Sequence, residues 1–289
     1  VSEQRQGLHA GKALTYGVLL LWALVCLFPL YWLAITSLKG EADITGSPTY
    51  VPFLDFTPTI SSWSFVLFDR YDSLAASYGN SLVVAMISTT LTMTAGCLAV
   101  YALTRLWKGR IEVWGQRFYA GALASRVLPP FVLALPIYVM ARVTGLLDSR
   151  GLLIVVYAAV NLPVALWLLR PVFGMKALEQ EESAQIDGAS HLHILCGIVL
   201  PMTAGGVAAV SLIVFLQCWN EYVFAATLTT NYAITMPPFL VGQMSMKEAQ
   251  VGSEAEEWAR FSAAALLMVV PLLATTAFVQ RALTRTVSH

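Results

Sequence analysis

Carboxylates, imidazoles and a thiol crowd into one short stretch of this chain. Glu179, Glu181, Glu182 and Asp187 precede His191, His193 and Cys196, side chains that elsewhere serve as general acids, nucleophiles or metal ligands. The spacing denies them those roles. His191 and His193 stand two apart, so on a helix their side chains diverge, and neither a complete ligand set nor a nucleophile beside an acid–base pair accompanies them. The stretch fits a docking element instead. Ala177 to Ile186 can form a helix, Gly188 can end it in a left-handed conformation, and Asp187 or Ser190 can cap the helix that follows through Leu195 to Val199, before Pro201 restarts the chain. The small residues Gly188-Ala189-Ser190 would let another protein's surface approach the backbone, while Glu181, Glu182 and Asp187 offer carboxylates to its basic groups. On composition alone an ordinary interfacial hairpin is the simpler account.

A second group of polar residues lies within apolar sequence. Arg126 falls inside a long apolar run, where a charge is costly unless it faces a cavity or a partner. It either contacts what passes through or braces the structure around it. Asn220 and Glu221, toward the end of a later run, carry the same two readings: they line a path, or they cap and brace a helix end.

Those apolar runs set the class. Hydrophobic residues make up 57% of the 289, only 12% are charged, and mean hydropathy is +0.69, against about 25% charged residues in an ordinary soluble domain. A polytopic membrane protein is expected. Six runs approach the roughly 20 residues a helix needs to cross the hydrocarbon core: Leu14 to Leu33, Leu82 to Tyr101, Phe118 to Met140, Gly151 to Leu169, Ala204 to Ala226 and Phe261 to Val279. Pro129, Pro130, Pro136 and Pro163 predict kinks in the third and fourth. The first run is too long for a signal-peptide core and lacks a small-x-small cleavage site, so it reads as a retained helix. Cys26, Cys97 and Cys218 sit in apolar runs and Cys196 follows the acidic stretch; without close pairing, most are expected to be buried free thiols.

Basic residues predict the orientation. Placing both termini in the cytoplasm puts Arg5, Lys12, Arg105, Lys108, Arg110, Arg117, Arg170, Lys176, Arg281 and Arg285 inside, leaving Lys39, Arg70, Arg142, Arg150, Lys247 and Arg260 outside. The acidic stretch then faces the cytoplasm. Outside, Trp63, Phe65, Phe68 and Tyr71 predict a short helix at the interface, where aromatic rings anchor readily. Lys plus Arg and Asp plus Glu both number 17, so the net charge of zero argues against nucleic-acid binding.

The run Glu182-Ser183-Ala184-Gln185-Ile186-Asp187-Gly188-Ala189, closing at Leu200-Pro201, resembles the EAA motif of permease subunits from bacterial ATP-binding-cassette (ABC) importers. Similarity to the maltose-type carbohydrate branch extends along most of the chain. It includes Pro29-Leu30-Tyr31-Trp32 and Ser37-Leu38-Lys39, Asn80-Ser81, Leu128-Pro129-Pro130, Leu135-Pro136-Ile137-Tyr138, Asn161-Leu162-Pro163 and Trp219-Asn220-Glu221-Tyr222. Ser183 departs from the usual alanine, and Leu195 stands where an aromatic residue is common.

The resemblance implies an all-α, six-helix membrane domain over residues 1–289, the type I importer permease fold, with a cytoplasmic coupling loop at about 173–203 in the bacterial inner membrane. It implies contact between Glu182, Ser183, Ala184, Asp187, Gly188 and Ala189 and separate ATPases, with Arg126, Asn161, Asn220 and Glu221 as candidates for the pathway. Expected partners are a second homologous permease, two cytoplasmic ATPases, a periplasmic or lipid-anchored sugar-binding protein, and membrane lipid. No G-x-x-x-x-G-K-[ST] loop is present, so the chain is expected to be non-catalytic and to bind no cofactor, ATP and Mg being used by the ATPases. A self-contained secondary transporter is the alternative; it would need its own ion site and inverted repeats.

Overall fold

A computed structural model describes residues 2–106, 117, 119–174, 178–245 and 254–287. Ala177 and Phe118, where a predicted helix and a predicted span begin, lie outside them, as do Lys108, Arg110, Lys176 and Lys247. The fold is helical: among the described residues the only β pairing is an isolated bridge between Pro52 and Phe56. The principal helices are α1 Ser2–Thr36, α2 Tyr71–Tyr101, α3 Tyr119–Val127, α4 Pro130–Thr144, α5 Arg150–Val172, α6 Leu178–Ile186, α7 His191–Met202, α8 Ala204–Trp219, α9 Val223–Leu228, α10 Met236–Ser245 and α11 Glu254–Val287. Among the described residues, four continuous stretches are long and apolar enough to cross a membrane, Leu14–Thr36, Tyr71–Arg105, Arg150–Val172 and Ala255–Ala277, and the number rises to six if each of two sharply bent helix pairs counts as one span.

Those two pairs correct the sequence expectation. The third span is not one kinked helix, because α3 and α4 meet at 96°. Leu128, preceding Pro129, takes an extended conformation (φ −68°, ψ 129°), the region to which a following proline's ring directs its neighbour. The fifth span also departs from the expected Ala204 to Ala226, since α8 stops at Trp219 and α9 begins at Val223, while α7 enters α8 through an 85° bend. Pro136 and Pro163, by contrast, lie inside helices that continue through them.

The described residues group into two units, residues 1–72 with 240–270 and residues 73–239 with 271–289. In the first, the apolar side chains of α1 from Leu14 to Phe28 are exposed, a surface that calls for lipid or protein around it. The loop after α1 closes over Lys39, whose ammonium donates to the Thr49 carbonyl at 2.7 Å and lies 4.9 Å from the Trp32 ring centre and 5.4 Å from that of Phe56. Burial lowers the Lys39 pKa, against the opposing pull of Asp43 and Asp55. Trp63 donates to Ser37 Oγ at 3.1 Å, from the helical segment Ser61–Asp69 that the aromatic residues predicted.

In the second unit, α5 is the central post. Gly96 of α2 faces it so closely that a methyl group there would meet Leu169 at 3.1 Å, and one at Gly206 of α8 would meet Val172 at 2.6 Å. Small residues at such crossings let membrane helices approach. Ser88 and Thr92 of α2 add hydrogen bonds to the carbonyls of Ile154 and Ala158 at 3.2 and 3.3 Å. Cys97 and Cys218 are buried free thiols as expected, whereas Cys26 and Cys196 are exposed; Cys26 follows the bare surface of α1.

Candidate functional site

The acidic stretch folds as a helix, a glycine turn and a second helix. Gly188 adopts φ +83°, and α6 ends around it with Gly188 N–H donating to the Gln185 carbonyl at 3.1 Å and Ala189 N–H to that of Ala184 at 2.9 Å. This pair of reverse bonds is the Schellman closure, which places a left-handed residue, most readily glycine, after the helix cap. Ser190, not Asp187, caps α7, its hydroxyl accepting the His193 N–H at 3.3 Å. Ile194, Leu195 and Val199 point inward and are buried. The outward face carries Glu182, Ser183, Asp187 and Gly188, with Ala184 and Ala189 half-buried beside them.

Glu181 was expected to offer its carboxylate to a partner, and the structure places it elsewhere. It is 1% exposed and accepts two bonds from Arg105, Nε at 2.8 Å and Nη2 at 3.1 Å. The same Nη2 reaches the carbonyls of Phe173 and Gly174 at 2.9 and 3.3 Å. Consecutive side chains on a helix point about 100° apart, so Glu181 inward and Glu182 outward follow from one geometry. Two contact candidates were missed: Ile186 and Leu192 are 87% and 64% exposed on either side of the turn. Large apolar residues within a polar island were the available signal.

Arg126 and Asn161 come together. Arg126 lies in the turn Ser125–Val127, at the elbow between α3 and α4, and its Nη2 donates to Asn161 Oδ1 at 3.2 Å and to Gln217 Oε1. Asn161 is buried and held in turn, donating to the Tyr157 carbonyl at 2.9 Å and to Cys218 Sγ at 3.3 Å. Three helical segments thus share one polar cluster, with Arg126 itself exposed at its edge. Gln217 was missed, although a glutamine amid the apolar run of α8 is a readable signal. Asn220 and Glu221 each hydrogen-bond to backbone groups nearby in sequence. Asn220 donates to the Leu216 carbonyl at 2.9 Å, while the Glu221 carboxylate accepts the N–H groups of Phe224 and Ala225 at 2.9 and 3.1 Å. Glu221 therefore caps the start of α9, where a helix's unpaired N–H groups and dipole favour a negative charge.

A further anchor lies between α4 and α5. Asp148, at φ +57°, accepts the N–H groups of Tyr232 and Ala233 at 2.9 Å each and those of Thr230 and Asn231 at 3.1 Å. Burial opposes its ionisation, yet these four amides outweigh it and hold the carboxyl down at about 2. Asn80 donates to the carbonyls of Tyr232 and Ile234 at 2.9 and 2.8 Å, and Ser81 Oγ accepts the Met236 N–H at 2.7 Å. The pair Asn80-Ser81 thus tethers the segment that Asp148 gathers. Asp148 itself gave no sequence signal beyond being an acid in a loop.

Residues 114–289 match the family model described as binding-protein-dependent transport system inner membrane component. A probable ABC transporter permease protein of Sinorhizobium fredii, y4oR, is 30% identical over 90% of this chain and 87% of its own length. The trehalose/maltose transport system permease protein MalG of Thermococcus litoralis is 27% identical over 88% of this chain and 87% of its own. A solved structure of a bacterial ABC transporter involved in the import of the acidic polysaccharide alginate superposes with a TM-score of 0.72 over 93% of this chain and 95% of that one, at 22% identity, and so shares the fold. The resemblance to permease subunits of ABC importers is borne out, and the self-contained secondary transporter gains no support. The chain belongs to the binding-protein-dependent transport system inner membrane component family and is a membrane-embedded permease subunit of an ABC importer.

Proposed function

We propose that this chain forms one half of a transmembrane pathway for a sugar or polyol, paired with a second homologous permease, and takes its motion from two ABC ATPases docked on the loop 173–203. The observation that carries the reading is the outward face of that loop: Glu182, Asp187, Ile186 and Leu192 exposed around the Gly188 turn, on a segment anchored beneath by Glu181. Carboxylates ringed with apolar contacts suit a cleft lined by basic and apolar groups. The bias of basic residues supports cytoplasmic termini and a cytoplasmic loop. A periplasmic or lipid-anchored binding protein would deliver substrate to the opposite side. That the relative MalG serves trehalose and maltose transport supports a saccharide cargo.

In this scheme the chain is non-catalytic, and ATP and Mg belong to the ATPases. Their closure on ATP shifts the docked loop, and the helices attached to it swing between inward-facing and outward-facing arrangements. Arg126, Asn161, Asn220 and Glu221 remain the pathway candidates. The Arg126 cluster, at an elbow in a membrane span, is favoured for contact with cargo; Glu221 and Asn220 shape the break between α8 and α9. Purification tests the scheme. The isolated chain should hydrolyse no ATP, turnover should appear with separate ATPase subunits, and a reporter fused after Ser190 should report the cytoplasm. Turnover by the chain alone, or a periplasmic reporter signal, would refute it.

A further inference from the structure

Arg105 closes α2 in a π-helical turn, Ala102–Leu106, and from there binds two other elements at once. One guanidinium makes two bonds to Glu181 in α6 and two to the carbonyls of Phe173 and Gly174, where α5 ends. Both side chains are withdrawn from solvent, at 13% and 2% exposure. Two features distinguish this from a surface ion pair. The Arg105 fork donates in two directions in one plane, which a lysine's single ammonium cannot reproduce, and the pair is sheltered from the screening that weakens exposed pairs. Tyr101, one turn earlier on α2, also sets its ring edge-on to His191 of α7 at 6.4 Å between centres, so α2 touches both arms of the loop.

We propose that the Arg105–Glu181 pair is the joint that makes the docking loop move as one body with the ends of α2 and α5, so that displacement of the loop becomes displacement of the membrane helices. Arg105 and Glu181 are then positioning residues that touch neither nucleotide nor cargo. The inference rests on the reading of the loop as the ATPase dock. Without the joint, the loop stays docked on its partner and yields at its root, and ATP is hydrolysed without moving the pathway.

The test uses the assembled complex with its ATPase subunits, ATP and vanadate as probes, and hydrogen exchange as the readout. In the parent, adding the ATPases should protect residues 178–190, and vanadate trapping should change exchange over 219–223, the break between α8 and α9. Arg105→Met alone strands a buried carboxylate and is expected to harm assembly, so the deciding variant is Arg105→Met with Glu181→Leu, which removes both charges together. It should keep the protection over 178–190 and its ATP turnover, and lose the vanadate-driven change over 219–223; Arg105→Lys should retain part of that change. A double variant with the parent's full change overturns the joint and leaves the dock standing. Absence of protection over 178–190 in the parent overturns the dock, and the joint with it.

Discussion

Asp148 accepts the backbone N–H of Tyr232 at 2.9 Å across 84 residues of sequence, and three neighbouring amides converge on the same carboxylate. A single side chain thereby folds the connection between α9 and α10 against the start of α5. Asp148→Ala should release it, with faster hydrogen exchange over 229–235 as the measurement. The depressed pKa of about 2 would correspond to more than 2 kcal/mol for a fully shielded group, and discounting for solvent screening leaves about 1 kcal/mol. The sign is fixed by linkage: a carboxyl whose folded pKa lies below its unfolded value stabilises fully above the unfolded value and loses that contribution as pH falls through the folded one. Thermal stability should therefore show no step from this group between pH 5 and 8, and the Asp148-dependent difference between parent and variant should vanish from about pH 4 down to 2. A difference between the two that persists unchanged at pH 2 would rule this account out.

Gly188 occupies a left-handed turn with open space where a side chain would go. Replacing it costs about 1–2 kcal/mol of backbone strain, too little to unfold the bundle. Gly188→Trp should insert normally and keep the parent's melting temperature within a few degrees, yet fail to retain ATPase subunits on purification. Ile186→Asp and Leu192→Asp should act in the same direction without strain, because both side chains are already exposed. Normal subunit retention in all three variants would remove this face from the dock.

Arg126 and Glu221 should separate by behaviour. Arg126→Gln removes the charge and shortens the reach to Asn161 and Gln217 but keeps a donor-rich amide, so the complex should assemble while uptake falls. Glu221→Gln keeps one acceptor for the N–H groups of α9 and loses its negative charge there, a cost of about 0.5–1 kcal/mol, and should register first as lowered thermal stability. Wild-type uptake by Arg126→Gln would assign the cluster to bracing alone.

Gly206→Leu tests the close approach of α8 to α5. Even a methyl group added at Gly206 would lie 2.6 Å from Val172, and forcing bulk into a packed crossing costs about 1–3 kcal/mol. The variant should be purified in lower yield with a depressed melting temperature, and Val172→Ala should restore part of the loss.

Length and apolarity made the spans legible, and the glycine turn was legible because few residues adopt positive φ. The elbows were harder to read. Proline at 129 breaks the chain while prolines 136 and 163 ride within helices, since neighbouring helices and local hydrogen bonding decide whether a membrane helix survives the missing N–H. Glu181 was misassigned because a carboxylate's type does not reveal the direction in which it points. Its partner Arg105 lies 76 residues earlier, and only the packed bundle brings them together. Asp148 was missed because four of its partners are backbone amides, which have no letter in a sequence.

The adjacency of Glu181 and Glu182 makes α6 intolerant of length. One residue inserted between Arg105's contact and the Gly188 turn rotates everything beyond it by about 100°, so the outward face would turn partly inward while the anchor stayed fixed. Substitution on that face, such as serine for alanine at position 183, leaves the phase untouched. The loop's identity therefore resides in its reading frame of turns more than in any one of its letters, and drift along it should proceed by exchange of side chains and not by insertion or deletion.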